Sequence, residues 1–206
     1  MKTKLAGIMV VIGFAILFGA CHRGGGEMDK ALLEKPVEQL SAEDMSKLTA
    51  VIETNYGVIK FRFFSKQAPN HCRNFIKLAR MGFYNSLVFH RVMRGFMIQG
   101  GDPNGDGSGG PGWRLKAEFS NLPHLKGTVS TARRSGDPDS AGSQFFICLD
   151  RQPGLDGEYT VFGQLIQGQD VVDKIGVLPT TGPQGYPPDR PLSDAIMNKV
   201  YIELQD

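Results

Sequence analysis

The sequence predicts a mainly β fold, a closed β-barrel capped by two α-helices. Short runs of β-branched and aromatic residues recur from residue 48 onward, and only two stretches of that region carry a helical period. The 26 Gly and 12 Pro in 206 residues punctuate the runs and favour a turn-rich β architecture over a helix bundle. At 41% hydrophobic and 21% charged, the chain can bury a core and is not wholly disordered. Its length fits one domain of roughly 150 residues with extensions. There is no internal repeat.

The first residues form a separate unit. Lys2 and Lys4 precede an uncharged apolar stretch from Leu5 to Phe18, which is shorter than the roughly 20 residues of a membrane span and suits the core of a signal peptide. The LFGAC at 17–21 resembles a bacterial lipoprotein lipobox, with Phe18 where Leu is usual. That reading makes residues 1–20 a signal peptide and Cys21 the acylated N-terminus. A plain signal peptide cut nearby, or an uncleaved anchor, is the alternative. Removing Lys2 and Lys4 with the leader takes the formal charge from +2 to zero. Several acyl chains hold a membrane far more firmly than one. His22, rather than Asp, follows the cysteine. By resemblance to enteric lipoproteins this favours the outer over the inner membrane, with the protein in the cell envelope and facing the periplasm.

Gly24, Gly25 and Gly26 read as a flexible tether. Residues 27–47 are charged, helix-compatible and broken at Pro36, so 21–47 is expected to be anchor and stalk and 48–206 the folded domain. Runs 48–54 and 58–64 flank Asn55-Tyr56-Gly57 and make a hairpin. The next stretch places Cys72, Phe75, Ile76 and Ala79 on one helical stripe, with Pro69 in the first turn and Gly82 as the stop. Strand-like runs follow at 87–92, 95–100, 127–132, 144–149 and 160–166. A second short helix fits 170–175 after Gly168, then a loop over 176–193 and a last strand at 195–204.

Several functions are disfavoured. No basic run exists, which argues against nucleic acid as a partner. Cys72 and Cys148 lie in no CxxC or Cys/His cluster, so zinc is disfavoured. Export permits a disulfide between them; two buried thiols acting as small hydrophobes is the preferred reading. The loop GDGSGGPG at 105–112 looks like a serine-protease motif, but Gly107 is inserted between Asp106 and Ser108, and an oxyanion hole does not tolerate that shift. The overlapping Asp102, Asn104, Asp106 and Gly107 start like an EF-hand, yet Trp113 stands where calcium needs a bidentate Glu.

Three stretches belong together: FHRVMRGFMIQGGD at 89–102, GTVSTARR with GSQFFICL across 127–149, and LDGEYTVFGQLIQGQDVVDKI at 155–175. Together they resemble the cyclophilin-type peptidyl-prolyl cis-trans isomerases over roughly residues 48–205. The resemblance implies an eight-stranded antiparallel barrel and turnover without metal, ATP or other cofactor. It implies proline-containing polypeptides as substrates, here exported proteins whose folding it assists. It places Arg91 as the catalytic group, with Phe96, Met97, Phe146 and Leu155 forming the proline pocket. Gln99 and Gln144 fall among the substrate-binding residues, and Ala132 and Arg133 lie along the peptide. Tyr159 stands where many members have His. His90 is secondary to Arg91.

The chemistry can be stated without the family. Amide resonance sets a barrier near 18–20 kcal/mol to rotation, and X–Pro bonds turn over in tens to hundreds of seconds unaided. A catalyst need only hold the twisted amide better than either planar form. Twisting returns a lone pair to the prolyl nitrogen. A rigid, permanently charged arginine can donate to it, while an apolar pocket seats the ring.

On pattern alone Phe96, Met97 and Phe146 would be core and Arg91 a solvated surface residue; their joint occurrence with Gln99 favours a site. Gly154 stands where many eukaryotic members have Trp, so cyclosporin binding is expected to be weak with catalysis retained. Arg133 and Arg134 put two positive charges beside the groove and favour acidic substrates. The rival reading is a binding or chaperone module on the same fold with little isomerase activity. The chain is expected to be monomeric.

Overall fold

A computed structural model describes residues 30–205. The leader and Cys21 lie outside the described residues. Nine strands form one antiparallel sheet: β1 (Leu48–Thr54), β2 (Gly57–Phe63), β3 (Leu87–Val88), β4 (Arg91–Met93), β5 (Met97–Gly100), β6 (Thr128–Thr131), β7 (Phe145–Cys148), β8 (Val161–Gln167) and β9 (Ile196–Leu204). Their order is β3-β9-β1-β2-β8-β6-β7-β5-β4. The fold is mainly β, as expected, but the closed eight-stranded count is not met. The run at 87–92 is two strands at opposite ends of the sheet. At the break Phe89 N–H donates to Ala195 O at 2.9 Å, while Val92 N–H donates to Asp189 O at 2.9 Å. The chain itself, through Phe89 and His90, joins the two ends where a ladder of hydrogen bonds was expected.

Strand β2 shows why the sheet has an inside. Ile59, Phe61 and Phe63 are buried while Val58 and Arg62 are exposed, the two-residue period of a pleated strand. The buried side chains meet helix α3 (Pro69–Arg80). Its Phe75 packs edge-on against Phe61 at 5.0 Å and Phe145 at 5.5 Å and stacks on Tyr84 at 4.8 Å. Such ring pairs add about 0.5–1.5 kcal/mol each beyond burial. Glu118 closes the N-terminus of α3. Its carboxylate accepts from the Asn70 and His71 backbone N–H groups at 3.0 Å each, a favourable place for negative charge. Helix α4 (Gln169–Gly176) caps the sheet elsewhere, burying Val171, Val172 and Ile175. Cys72 on α3 and Cys148 on β7 are both buried free thiols.

The expected stalk is part of the body. Residues 30–34 are helical (α1), and α2 (Ala42–Ser46) follows a 3-10 turn. Leu40 and Met45 are fully buried in the main core. Arg80 donates to Lys35 O at 2.6 Å and Leu32 O at 3.2 Å, Arg73 to Leu40 O at 2.9 Å, and Ser65 to Ala42 O at 2.7 Å. The packed unit thus includes residues 32–46 as a strap across α3. The sequence disguised this because the charged residues outnumber the few apolar ones that anchor it.

Ser41 and Asp44 form a capping box at the start of α2, and Asp44 pairs with Lys35 at 2.6 Å. The Lys35 ammonium, then the Ser41 N–H, hold the Asp44 carboxyl at about 2, below its ordinary 3.8. A depressed carboxylate stabilises the fold above its unfolded value and loses that contribution as pH falls through its folded one. The strap should therefore loosen between about pH 4 and pH 2. An NMR titration of the Asp44 carboxyl should show a midpoint near 2. Asp44→Asn should flatten that acid-dependent step in stability. A midpoint at the ordinary 3.8 would mean that Lys35 does not hold it.

Candidate active site

The β4–β5 hairpin turns through Arg94, Gly95 and Phe96. Its register sets Arg91 opposite Gln99 and Met93 opposite Met97. Strand β5 in turn pairs with β7, placing Met97 opposite Cys148 and Gln99 opposite Phe146. These residues share one face. On the other face Val92, Ile98, Phe145 and Ile147 enter the main core. Met97, Phe146 and Cys148 instead form a second apolar cluster, packed by Met93, Phe96, Ala132, Leu155 and Tyr159. The Phe-Phe of GSQFFI is thus split: Phe145 builds the core and Phe146 the site.

A pocket of about 160 Å³ opens over this cluster. Arg91, Phe96, Met97, Gln99, Ala132, Arg133, Phe146, Leu155 and Tyr159 line it. Gln144 belongs to an adjoining pocket of about 470 Å³ that shares Gln99, Ala132 and Arg133. His90 lines neither. It is buried with both ring nitrogens unpartnered among the described residues, and burial pulls its pKa below the ordinary imidazole value.

Arg91 crosses the pocket rim. Its Nη1 donates to Gln99 Oε1 at 3.4 Å and its Nη2 to Met93 Sδ at 2.9 Å. Gln99 Nε2 donates to Gln144 Oε1 at 2.9 Å, and Gln144 Nε2 donates to Gly107 O and Gly109 O at 2.9 Å each. A chain of amides therefore ties the guanidinium to the glycine-rich loop. That loop is a wall of the second pocket. Ser108 Oγ donates to Asp106 Oδ1 at 2.6 Å, and Asp102 accepts from the N–H groups of Asn104, Asp106 and Gly107. Among the described residues no three His, Cys, Asp or Glu side chains gather to hold a metal ion.

The opposite wall rests on residues the sequence did not signal. His124 is fully buried and stacks on Phe146 at 6.1 Å, while Tyr159 meets Phe146 edge-on at 5.6 Å. Ser130 lies 3.0 Å from His124 Nε2, and Asp156 accepts from His124 N–H at 2.8 Å and faces Nδ1 at 3.2 Å. Arg151 closes on Asp156 and, with His124, holds that carboxyl at about 2. With Asp156, the pair Ser130 and His124 resembles a hydrolase triad. Both are wholly buried, so their role is to hold Phe146. A lone His gives no such signal in sequence, since only folding brings Asp156 to it.

The expected pair of groove charges is unequal. Arg133 lies over the Tyr159 ring at 4.6 Å and pairs with Glu158 at 3.3 Å. Arg134 is exposed, and its guanidinium has no partner among the described residues. Any bias toward acidic substrates therefore falls mainly to Arg134.

Comparison with known proteins fits this geometry. The family model described as "Cyclophilin type peptidyl-prolyl cis-trans isomerase/CLD" matches residues 49–202. A peptidyl-prolyl cis-trans isomerase of Synechococcus elongatus is 51% identical over 115 residues, 56% of this chain and 78% of that one. One from Helicobacter pylori is 46% identical over 142 residues, covering 66% and 86%. The crystal structure of a cyclophilin-type isomerase from Cryptosporidium parvum, in the presence of the dipeptide Ala-Pro, aligns with a TM-score of 0.71 at 36% identity, covering 76% of this chain and 99% of that one. The chain belongs to the cyclophilin-type peptidyl-prolyl cis-trans isomerases, enzymes that rotate X–Pro peptide bonds.

Proposed function

We propose that this isomerase acts on exported polypeptides, with Arg91 as its catalytic residue and the 160 Å³ pocket as the seat of the proline ring. One observation carries the reading: strand register puts a fixed guanidinium at the lip of an apolar pocket on the outer face of the sheet. A prolyl ring entering over Met97 and Phe146 brings its nitrogen beneath Arg91. In the planar amide that nitrogen is a poor acceptor. In the twisted state its lone pair is free, so the arginine hydrogen bond forms most strongly there. Gln99 holds the arginine and offers an amide to substrate backbone. Ala132, whose N–H is held by Gln144 O at 2.9 Å, presents its carbonyl to an extended client. No covalent step and no proton transfer are needed.

The cell-envelope location is part of the proposal. Acylation at Cys21 would hold a monomer at the membrane. With the strap packed, at most the nine residues before residue 30 can act as a free tether, a reach of about 30 Å when fully extended. A stalk reaching residue 47 would allow about 90 Å. The active site would then sweep a narrow layer above the lipid, where newly exported chains emerge.

Three outcomes are expected. In two-dimensional exchange NMR with short X–Pro peptides, the full-length protein should accelerate cis-trans exchange. Arg91→Ala, equally folded, should lose about 100-fold or more; equal rates would remove Arg91 from the chemistry, and no acceleration by the parent would favour the binding-module reading. Gly154 has open space where a side chain would extend, with no atom within 4 Å. Gly154→Trp should therefore fold normally and bind cyclosporin at least about tenfold tighter, a gain of about 1.4 kcal/mol. Unchanged affinity would show that the missing indole is not what weakens it. In bacteria, Cys21→Ser should remove the acylated N-terminus seen by mass spectrometry and shift the protein out of the membrane fraction. An unmodified parent chain would end the lipoprotein reading.

A further inference from the structure

We propose that Asp189 is a positioning residue for the isomerase reaction, its carboxylate fixing the plane of the Arg91 guanidinium over the proline pocket. This rests on the reading of Arg91 as the donor. Asp189 sits in the long loop between α4 and β9, nearly a hundred residues from the hairpin it serves. It is only 8% exposed. Its backbone has φ of 55°, a left-handed conformation that few non-glycine residues adopt and that Asp and Asn tolerate best.

The surrounding bonds hold it in that shape. Asp189 N–H donates to Gly182 O at 3.0 Å, and its own carbonyl accepts from Val92 N–H at 2.9 Å. The second bond docks the loop on β4 at the residue next to Arg91. The neighbouring cation points elsewhere: Arg190 donates to Gly105 O at 2.8 Å and to Asp194 Oδ1 at 3.0 Å. Asp189 Oδ2 instead lies 3.7 Å from Arg91 Nε, the one ion pair that Arg91 makes among the described residues.

The geometry of the guanidinium gives that pair its meaning. Five N–H donors lie in one rigid plane. Gln99 takes one from Nη1, Met93 one from Nη2, and Asp189 faces the single one on Nε. One N–H on each terminal nitrogen is left for a substrate. Amide oxygen and thioether are neutral acceptors, and sulfur is a weak one. The carboxylate is the charged third point, an ion pair at 3.7 Å whose acidic partner is mostly buried, and Coulomb attraction near a protein surface is stronger than in bulk water. Arginine has many rotamers. Fixing its plane before the client binds removes an ordering cost that would otherwise fall on the reaction.

Asp189→Asn in the full-length protein tests this, because Asn keeps the size and the left-handed backbone while removing the charge. The expected result is a fall of about tenfold in kcat/KM, carried mainly by kcat, with a shifted Arg91 Nε–H resonance. In an Arg91→Lys background the same change should cost less than about twofold, since the fork it orients is gone. Equal losses in both backgrounds, or an unchanged kcat/KM, would overturn the proposal. Arg91→Ala separates the two readings: its inactivity beside a fully active Asp189→Asn discards Asp189 alone, and its full activity discards both. One measurement needs no variant. In the unaltered protein the Arg91 Nε–H should exchange with water more slowly than that of the unpartnered Arg134; equal exchange would count against the pair.

Discussion

Along β5 and β7 successive side chains leave opposite faces of the sheet, and in this chain both faces are apolar. Ile98, Phe145 and Ile147 go inward. Met97, Phe146 and Cys148 go outward. A large apolar side chain contributes roughly 1.5–3 kcal/mol when buried, and the inner set takes that from the core built around Phe61 and Phe75. The outer set is covered only by a few partly exposed neighbours. Those neighbours leave a pocket of about 160 Å³ above the cluster that a proline ring can fill. A slip of one residue in the β5–β7 register would send Phe146 inward and Phe145 out. Core and pocket would fail together, so one pairing specifies both.

Arg91 follows from the same constraint. Opposite Gln99 it must stand on the outer face, at the edge of the apolar cluster. A guanidinium there remains 39% exposed, so water still solvates part of it and the desolvation cost is small. Its contacts leave donors unspent. The polar links through Gln99 and Gln144 reach residues 107–109, so a strand holds the guanidinium while a loop shapes its surroundings.

The legible parts of the sequence were those with a period or a local motif. The β1–β2 hairpin, α3 with Pro69 in its first turn and the last strand fell where their patterns put them. Of the eleven residues expected at the site, nine line the pocket, Gln144 reaches them through Gln99, and His90 stands apart. What escaped depends on contacts distant in sequence. The run at 87–92 is continuous as a pattern, but Ala195 and Asp189 draw its two halves to different edges. The strap looked like a solvated stalk because Leu40 and Met45 are sparse among charges. His124 and Asp156 gain meaning only once folding brings Ser130 to His124 Nε2 and stacks the His124 ring on Phe146.

The placement of the site on the outer face of the curved sheet follows from size. Even a small closed barrel has an interior just wide enough for its own side chains, and here Phe61, Phe75, Phe145 and Phe162 fill the space on the inner face of the sheet. No client could enter. An outer-face site, by contrast, meets its substrate along an open groove, so the length of the client is unrestricted. The groove must then reach an X–Pro bond within a chain that is folding elsewhere. Such a site cannot surround its substrate to exclude water. In the proposed mechanism its selectivity for the twisted amide comes from one oriented cation over one apolar seat. On that proposal the stability of the arrangement matters more than its enclosure, and the remote loop carrying Asp189, which pairs with Arg91 at 3.7 Å, becomes part of its working geometry.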